Sequence, residues 1–250
     1  MLLHFGYNLC LSMSAEEVKA ALAQFASQQR ARTNAWFFKT AKGNYGAGDK
    51  FIGVSVPNQR IVAQRYKDLP HPELAKLFAS PWHEHRLTAC LISVYQYQAL
   101  KKRVEAQKAT YDFYLKQLQG GGVNNWDMVD TSSPQIIGDY LLDKPRQLLY
   151  DLAESNDLWQ QRAAIISTAA FIRQDDFGDT LAIAEMLLHH QHDLIHKAVG
   201  WMLREVGNRD RDVEEEFLGQ HYKNMPRTML RYAIEKFPDE RRRIYLSGRA

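Results

Sequence analysis

The sequence contains very little cysteine, with only Cys10 and Cys90 among its 250 residues. Two cysteines exclude a disulfide scaffold and a multi-cysteine metal site, and they favour a reducing compartment such as the cytoplasm. Long apolar runs are also absent, since no stretch approaches the roughly 18 residues that a membrane helix needs. The hydrophobic content of 45% and the charged content of 24% are ordinary for a globular protein. Disordered, collagen-like and membrane-spanning classes are therefore excluded.

The first residues lack the features of a signal peptide, because neither a basic region nor a long apolar core is present. Ser14 followed by Glu16 and Glu17 is typical of a helix N-cap with acidic residues in the first turn. We therefore expect residues 1–13 to be a disordered or misassigned extension. We expect residues 14–250 to form a single domain.

Charge is distributed unevenly along the chain, although the net charge is only +3. Residues 1–110 contain 15 Lys and Arg against 7 Asp and Glu, whereas residues 111–250 contain 17 against 22. A basic half beside an acidic half is compatible with a polyanion bound on one face. Solvated helix surfaces explain the same distribution, so charge alone leaves both interpretations open.

Apolar residues recur at three- and four-residue spacing through almost the whole chain, which predicts helices. Proline and glycine punctuate these segments, and no window shows the alternation of a convincing strand. The stretch 51–56 ends at Pro57 and is predicted to be an ordered loop. The predicted helices are 14–30, 58–68, 71–79, 83–103, 108–118, 134–142, 145–154, 158–173, 177–189, 193–206, 211–220 and 226–236.

Four of these helices place a cation just before a run of small apolar residues. The cations are separated by 76, 35 and 34 residues, and 76 is twice 38. A period of roughly 34 to 40 residues with two helices per repeat predicts an all-α superhelical solenoid of HEAT-like helix pairs. The recurring cations would then line its concave face, although each could instead pair with an acid on a neighbouring helix. They are Arg86, Arg162, Lys197 and Arg231.

The segment 120–134 is the most unusual part of the sequence, because three glycines precede a short helix that Asn125 can cap. On that helix Trp126 and Asp130 lie one turn apart and share a face. An indole beside a carboxylate suits a cationic ligand, because both groups attract positive charge. A buried Trp with a capping Asp is the structural alternative.

The later helices contain an interior glycine, a tryptophan and a group of histidines. Gly200 within a helix costs about 1 kcal/mol against Ala, which predicts close packing there, and Trp201 lies one turn beyond Lys197. The histidines between 189 and 196 resemble a metal cluster but lack the HExxH order, so we predict loop or surface residues. No metal and no cofactor is predicted.

Four ordered motifs resemble the AlkD-type DNA alkylation repair family, and the resemblance runs over roughly residues 33–240. It implies a superhelix of HEAT-like helix pairs whose concave face binds duplex DNA containing alkylated bases. The segments Phe51–Arg60 and Ser80–Arg86 are also similar to the family. The four motifs are Val123–Asp130, Leu158–Ser167, Lys197–Gly207 and Met225–Lys236.

The resemblance implies a DNA glycosylase that hydrolyses the N-glycosidic bond of cationic alkylpurines, such as 3-methyladenine and 7-methylguanine, without base flipping. It implies that Asp130 is the catalytic aspartate and that Trp126 and Trp201 cradle the damaged nucleotide. Arg162 matches the family arginine that grips the DNA backbone. Many relatives carry two adjacent arginines where this sequence has Gln161 and Arg162, a departure that concerns DNA affinity rather than chemistry.

Phosphate contacts are predicted for cations along the groove. We expect a cytoplasmic monomer, associated with the nucleoid in a prokaryote, with no membrane partner. Two other functions stay open: a relative that binds DNA lesions or DNA structures without excision, and a HEAT-repeat scaffold for protein interactions. The predicted phosphate contacts are Lys39, Lys42, Arg60, Arg86, Arg162, Lys197 and Arg231.

Overall fold

A computed structural model describes residues 13–101 and 103–249, and the statements on the fold refer to them. Helices make up nearly all of the regular structure in this part of the chain, where the β interaction is an isolated bridge between Lys50 and Trp82. The expected all-α class is confirmed. The superhelical arrangement of helix pairs stays a prediction, and the extension expected at 1–13 lies outside the described residues except for Met13.

The chain divides into two compact units, with the boundary between Ile92 and Ser93 inside one helix. The single domain expected from the sequence over residues 14–250 stays a prediction. None of the described helices combines the length and the apolar character that crossing a membrane requires. The helices up to that boundary are α1 (Ala15–Ala23), α2 (Gln28–Phe37), α3 (Val56–Arg65), α4 (His71–Phe78) and α5 (His83–Ala99).

The second unit continues with ten further α-helices, a π-helical turn at Pro134–Gly138 and a 3-10 turn at Ile234–Lys236. The α-helices are α6 (Val104–Gln119), α7 (Trp126–Ser133), α8 (Gln147–Glu154), α9 (Leu158–Ser167), α10 (Ala169–Ile172), α11 (Gly178–Met186), α12 (Asp193–Arg209), α13 (Arg211–His221), α14 (Arg227–Ala233) and α15 (Asp239–Leu246).

Helix α1 begins with the expected cap, and it ends earlier than the sequence predicts. The Ser14 hydroxyl accepts the backbone N–H of Glu17, whose carboxylate accepts the backbone N–H of Ser14 at 2.8 Å. The predicted helix 14–30 is wrong beyond Ala23, because Ser27 caps a new helix by accepting the N–H of Arg30. Helix α2 has no buried residue, so no apolar period marks it as a separate element.

The stretch before α3 is an ordered loop, as predicted. The Glu84 carboxylate accepts the backbone N–H groups of Ile52, Gly53 and Val54 at 3.1, 2.8 and 3.2 Å. Gly53 has a φ of +82°, and a Cβ there would lie 2.0 Å from the carbonyl oxygen of Ser27. The loop therefore packs backbone to backbone against the start of α2.

Helix α12 lies at the centre of the second unit, where it packs against α9, α13 and α14. Its approach to α14 requires Gly200, since a Cβ there would lie 2.4 Å from the Met229 carbonyl oxygen and 2.6 Å from the Cβ of Tyr232. The close packing predicted for this glycine is confirmed. The buried side chains of Ile195 and Met202 continue the core along the same helix.

Helix α7 runs directly into the π-helical turn, where the sequence predicts an ordinary helix over 134–142. Pro134 begins this turn, and Gly138 lies so close to α9 that a Cβ would be 2.3 Å from the Ser167 carbonyl oxygen. The backbone of the π-helical turn, which follows α7, therefore packs directly against the backbone of α9. These contacts place the short α7 beside α9, and the candidate site lies between them.

Candidate functional site

Helix α7 presents the aromatic and acidic side chains that the sequence singles out. It begins where predicted, because the Asn125 side chain accepts the backbone N–H of Trp126 at 2.9 Å. Trp126 and Asp130 are one turn apart on this helix and both are half-buried. Met128 and Val129 face the core instead, which holds the helix to the protein on its other side.

Asp130 is bound by Arg162 of α9 through two parallel hydrogen bonds. The guanidinium donates from Nε to Oδ1 and from Nη2 to Oδ2, and both donor–acceptor distances are 2.8 Å. The Arg162 side chain is 5% exposed, whereas the Asp130 side chain is 16% exposed. Bidentate pairing fixes the plane of the carboxylate, while the Asp130 side chain keeps a small exposed fraction.

The same arginine also reaches the first turn of α12, where Nη1 donates to the Leu194 carbonyl oxygen. Arg162 therefore ties α7, α9 and α12 together around the Asp130 carboxylate. In this arrangement the guanidinium orients Asp130, and a contact with the DNA backbone would need some of these bonds to be exchanged. The contact stays a prediction.

The electrostatics of Asp130 are a balance of opposing effects. Burial raises the pKa of its carboxyl above the ordinary value, the charge of Asp127 raises it further, and the guanidinium of Arg162 opposes both. Each carboxylate oxygen accepts an N–H, which is the geometry of the ionised form. The site thus combines a poorly hydrated carboxyl group with a cation that favours its ionised form.

Trp201 lies on α12, seven residues and about two turns beyond Leu194, so both project from one face of that helix. Its indole N–H donates to Glu205 Oε1 at 2.9 Å. Glu205 in turn accepts from Arg204 at 3.1 Å and from Asn208 at 3.1 Å. The orientation of this indole is therefore set by a carboxylate one turn later, a residue that the sequence analysis missed although its i,i+4 spacing was visible.

The neighbouring polar residues have structural partners. Gln161 donates to the Ser155 carbonyl oxygen at 2.7 Å and bonds His190 at 3.0 Å, so it does not extend Arg162 as a second cation would. His192 accepts the backbone N–H of Leu194 and caps α12. Among the residues that the model describes, no group of three His, Cys, Asp or Glu is arranged to hold a metal ion.

The predicted phosphate contacts occupy different environments. Lys39, Lys42 and Arg60 are exposed in the first unit. In the second unit, Arg231 is exposed on α14, and Lys197 is partly exposed and paired with Asp193 at 2.7 Å. These five remain proposals for DNA contacts.

Arg86 differs from these five, because it is 4% exposed and enclosed in the first unit. It donates to the Ser80 carbonyl oxygen at 2.6 Å and to the Asp49 carboxylate. The four cations at the repeat spacing therefore do not share one environment. Arg162 is buried in an ion pair with an aspartate of a neighbouring helix, which is the alternative to a concave lining, and Arg86 is buried in an ion pair with an aspartate of a loop.

A family model for "DNA alkylation repair enzyme" matches residues 18–237, which is most of the chain and covers most of each unit. The chain belongs to the DNA alkylation repair enzyme family. Its coarse function is therefore an enzyme role in DNA alkylation repair. None of the curated proteins matches this family member significantly.

Among solved structures, this family member is similar to a predicted DNA alkylation repair enzyme from Enterococcus faecalis. The two share 14% sequence identity with a TM-score of 0.64, and the match covers 86% of this chain and 97% of the other. At this identity the likeness concerns the fold alone, and it supports the all-α class.

Proposed function

We propose that the chain is a DNA glycosylase that hydrolyses the N-glycosidic bond of cationic alkylpurines, such as 3-methyladenine and 7-methylguanine, in duplex DNA. One observation carries the proposal. The Asp130 carboxylate is partly accessible, is held on both oxygens by Arg162, and lies one helical turn from Trp126. A fixed anion beside an indole is suited to a site where positive charge develops.

The substrate supplies much of the driving force. A purine alkylated at N3 or N7 already carries a positive charge, so it leaves as a neutral base without a proton from an acid. The bond from C1′ to the base nitrogen breaks with its electron pair going to the base, and positive charge develops on the sugar. A water molecule then adds its oxygen to C1′ and gives its proton to Asp130 or to solvent.

The residues of the site serve this reaction in different ways. Asp130 stabilises the developing sugar cation and orients the attacking water. Trp126 and Trp201 pack against the deoxyribose through polarised C–H groups that face the aromatic rings. Arg162 holds the carboxylate plane, so little reorganisation is needed when charge develops. The lesion stays in the duplex in this proposal, unlike in enzymes that extrude the base.

The protein acts as a monomer in this proposal. Its binding to duplex DNA depends on cations that are exposed or partly exposed. We expect log Kd to depend linearly on log salt, with a slope of about 0.9 for each phosphate contacted. A slope near zero would contradict DNA binding. The cations proposed for phosphate contacts are Lys39, Lys42, Arg60, Lys197 and Arg231.

The decisive experiment measures release of 7-methylguanine from a duplex oligonucleotide under single-turnover conditions. We expect Asp130→Asn to slow release by about 100- to 1,000-fold, because it removes the charge that stabilises the sugar cation. Asp127→Asn is the matched control on the same helix, since the Asp127 carboxylate accepts the N–H of Met128 and an amide oxygen can do the same. It should retain release within a few-fold.

The outcomes separate the functions that the sequence leaves open. DNA binding without release by the natural protein would favour a lesion- or structure-binding relative. Neither release nor binding would favour a protein scaffold. A neutral lesion such as hypoxanthine or ethenoadenine should be a poor substrate, because it lacks the charge that drives departure of the base, and its efficient excision would contradict the mechanism.

A further inference from the structure

The first unit carries a segment in which every exposed charge is positive. Residues 28–65, the basic segment, contain seven Lys and Arg residues and a single acid, Asp49. All seven cations are exposed, whereas the Asp49 side chain is 9% exposed and bonded to His83 and Arg86. No exposed carboxylate within the segment neutralises these charges, so it attracts polyanions.

Helix α2 opens the basic segment and presents a large aromatic side chain to solvent. Trp36 is 81% exposed and follows Arg32 by one turn, so the two side chains share a face of the helix. The next residue, Phe37, is 54% exposed, and Arg30 precedes it by seven residues. The Phe37 ring makes an edge contact with the ring of the buried Phe38, with centroids 5.2 Å apart, but about half of it stays exposed. Exposed aromatic side chains grouped together are typical of binding surfaces.

The outward position of Trp36 is built into the fold. Phe38, two residues later, is buried against the rings of Phe51 and His83, with centroids 5.2 and 4.6 Å away. At the other end of α2, the backbone N–H of Ser27 donates to a carbonyl oxygen of the neighbouring loop at 3.1 Å. Because both ends of α2 are fixed, the indole cannot turn inward without breaking these contacts.

A cation follows at a position that favours glycine. Lys39 has a φ of +53°, in the left-handed region that non-glycine residues rarely adopt. A glycine would reverse the chain after α2 with less strain. The lysine keeps a positive charge three residues beyond Trp36.

We propose that the exposed surface of Arg30, Arg32, Trp36 and Lys39 binds single-stranded DNA, with an unpaired base stacked on the indole and phosphates on the cations. Stacking on an exposed aromatic ring requires a base whose own face is free. In a duplex each base face is covered by its neighbours, so there only the cations contribute. The choice of DNA as the polyanion rests on the proposed function, whereas the choice of a single strand rests on the indole.

The test measures binding of a labelled oligothymidylate, and of an undamaged duplex of the same length, to the full chain. We expect Trp36→Ala to weaken oligothymidylate binding about tenfold and duplex binding by less than about twofold. A variant with Arg30→Gln and Arg32→Gln should weaken both. On the single strand its salt-dependence slope should fall by about 0.7 for each arginine removed.

Two control variants remove an exposed apolar group and an exposed cation from the second unit. Val104→Ala truncates an apolar side chain that is 67% exposed, and Lys223→Gln removes an exposed cation. Both should bind oligothymidylate like the natural protein, and melting temperatures confirm that all variants are folded. Equal weakening by Val104→Ala and Trp36→Ala would overturn the proposal.

Three further outcomes are decisive. Unchanged oligothymidylate binding by Trp36→Ala would overturn the inference, and so would equal losses on single strand and duplex. If Trp36→Ala lost binding to phosphatidylserine vesicles while its DNA binding was unaffected, the surface would be assigned to membranes instead. Base release is scored separately. If the natural protein releases no base the glycosylase proposal fails, and if Asp130→Asn still releases base the role of Asp130 fails. In either case a selective effect of Trp36→Ala still supports single-strand binding.

Discussion

Each of the two units contains a buried pair of arginine and aspartate. Arg86 pairs with Asp49 in the first unit, and Arg162 pairs with Asp130 in the second, and both arginine side chains are 5% exposed. The aspartates differ. Asp49 is also bonded to His83 at 3.0 Å and is 9% exposed, whereas Asp130 is bonded by one arginine and is 16% exposed.

The difference shows how one kind of ion pair serves two purposes. The first pair ties down a loop, because Arg86 also donates to the Ser80 carbonyl oxygen and Asp49 lies in the loop between α2 and α3. The second pair fixes a carboxylate that is more exposed and lies one helical turn from Trp126. A fold that encloses an ion pair comes to depend on both partners, because loss of one leaves a buried charge. A more accessible carboxylate with a shifted pKa is suited to act on a ligand.

The largest effect is expected from breaking each pair at its arginine. Arg162→Gln and Arg86→Gln should each lower the free energy of unfolding by about 3–5 kcal/mol, because each leaves a buried carboxylate without its cation. Urea unfolding measures this loss. Base release per folded molecule should fall only for Arg162→Gln, and an equal fall for Arg86→Gln would remove the distinction between the pairs.

Glu214 sharpens the comparison, because it is a buried carboxylate whose Oε1 has no hydrogen-bond partner. Burial raises its pKa from 4.5 to about 8. The folded state then holds this proton more tightly than the unfolded state does. The contribution of the protonated carboxyl to the free energy of unfolding is therefore fully present below pH 4.5 and is lost as the pH rises through 8. The loss reaches at most about 1.4 kcal/mol per pH unit.

Glu214→Gln removes the titrating group and should flatten this dependence. Urea unfolding of the natural protein and the variant between pH 5 and pH 8 measures the effect. Glu215→Gln is the control, since its carboxylate is bonded to Arg241 at 2.5 Å and is more exposed. Equal pH dependence in the natural protein and in Glu214→Gln would show that other groups dominate.

The pH dependence of base release tests whether the more exposed carboxylate is the working form. Burial raises the pKa of Asp130, so release should fall about tenfold per pH unit on the acid side, with a midpoint above 3.8. Asp127→Asn removes a charge that raises this pKa, so it should move the midpoint to lower pH. Single-turnover rates measured against pH give both midpoints. A rate that is independent of pH through the acid range would argue against an ionised Asp130.

The smallest effect concerns the orientation of Trp201. Glu205→Ala should slow base release about tenfold, since it removes a charged acceptor from the indole N–H. Glu205→Gln keeps an acceptor oxygen for the indole N–H and should restore most of the rate. A role of Glu205 in stability alone does not predict this recovery. Tryptophan emission reports the change around the indole. Equal losses in both variants would favour a role for the charge itself.

Much of the local structure could be predicted from the sequence. The cap at Asn125, the sharing of a face by Trp126 and Asp130, and the tight packing at Gly200 all follow from residue type and helical spacing. Helix α2 was missed, because its exposed residues carry no apolar period. The aromatic residues at its end belong partly to solvent and partly to the core, and residue type does not distinguish Trp36 from Phe38.

The all-α class and most helix starts follow from the sequence, and the roles of its site residues stay predictions. The class and the helix starts depend on neighbours within one or two helical turns. The pairing of Arg162 with Asp130, 32 residues away, and of Arg86 with Asp49, 37 residues away, is visible in the folded chain alone. Burial and pairing of a charge depend on which helices pack around it, and helical period carries no information about partners so distant along the chain.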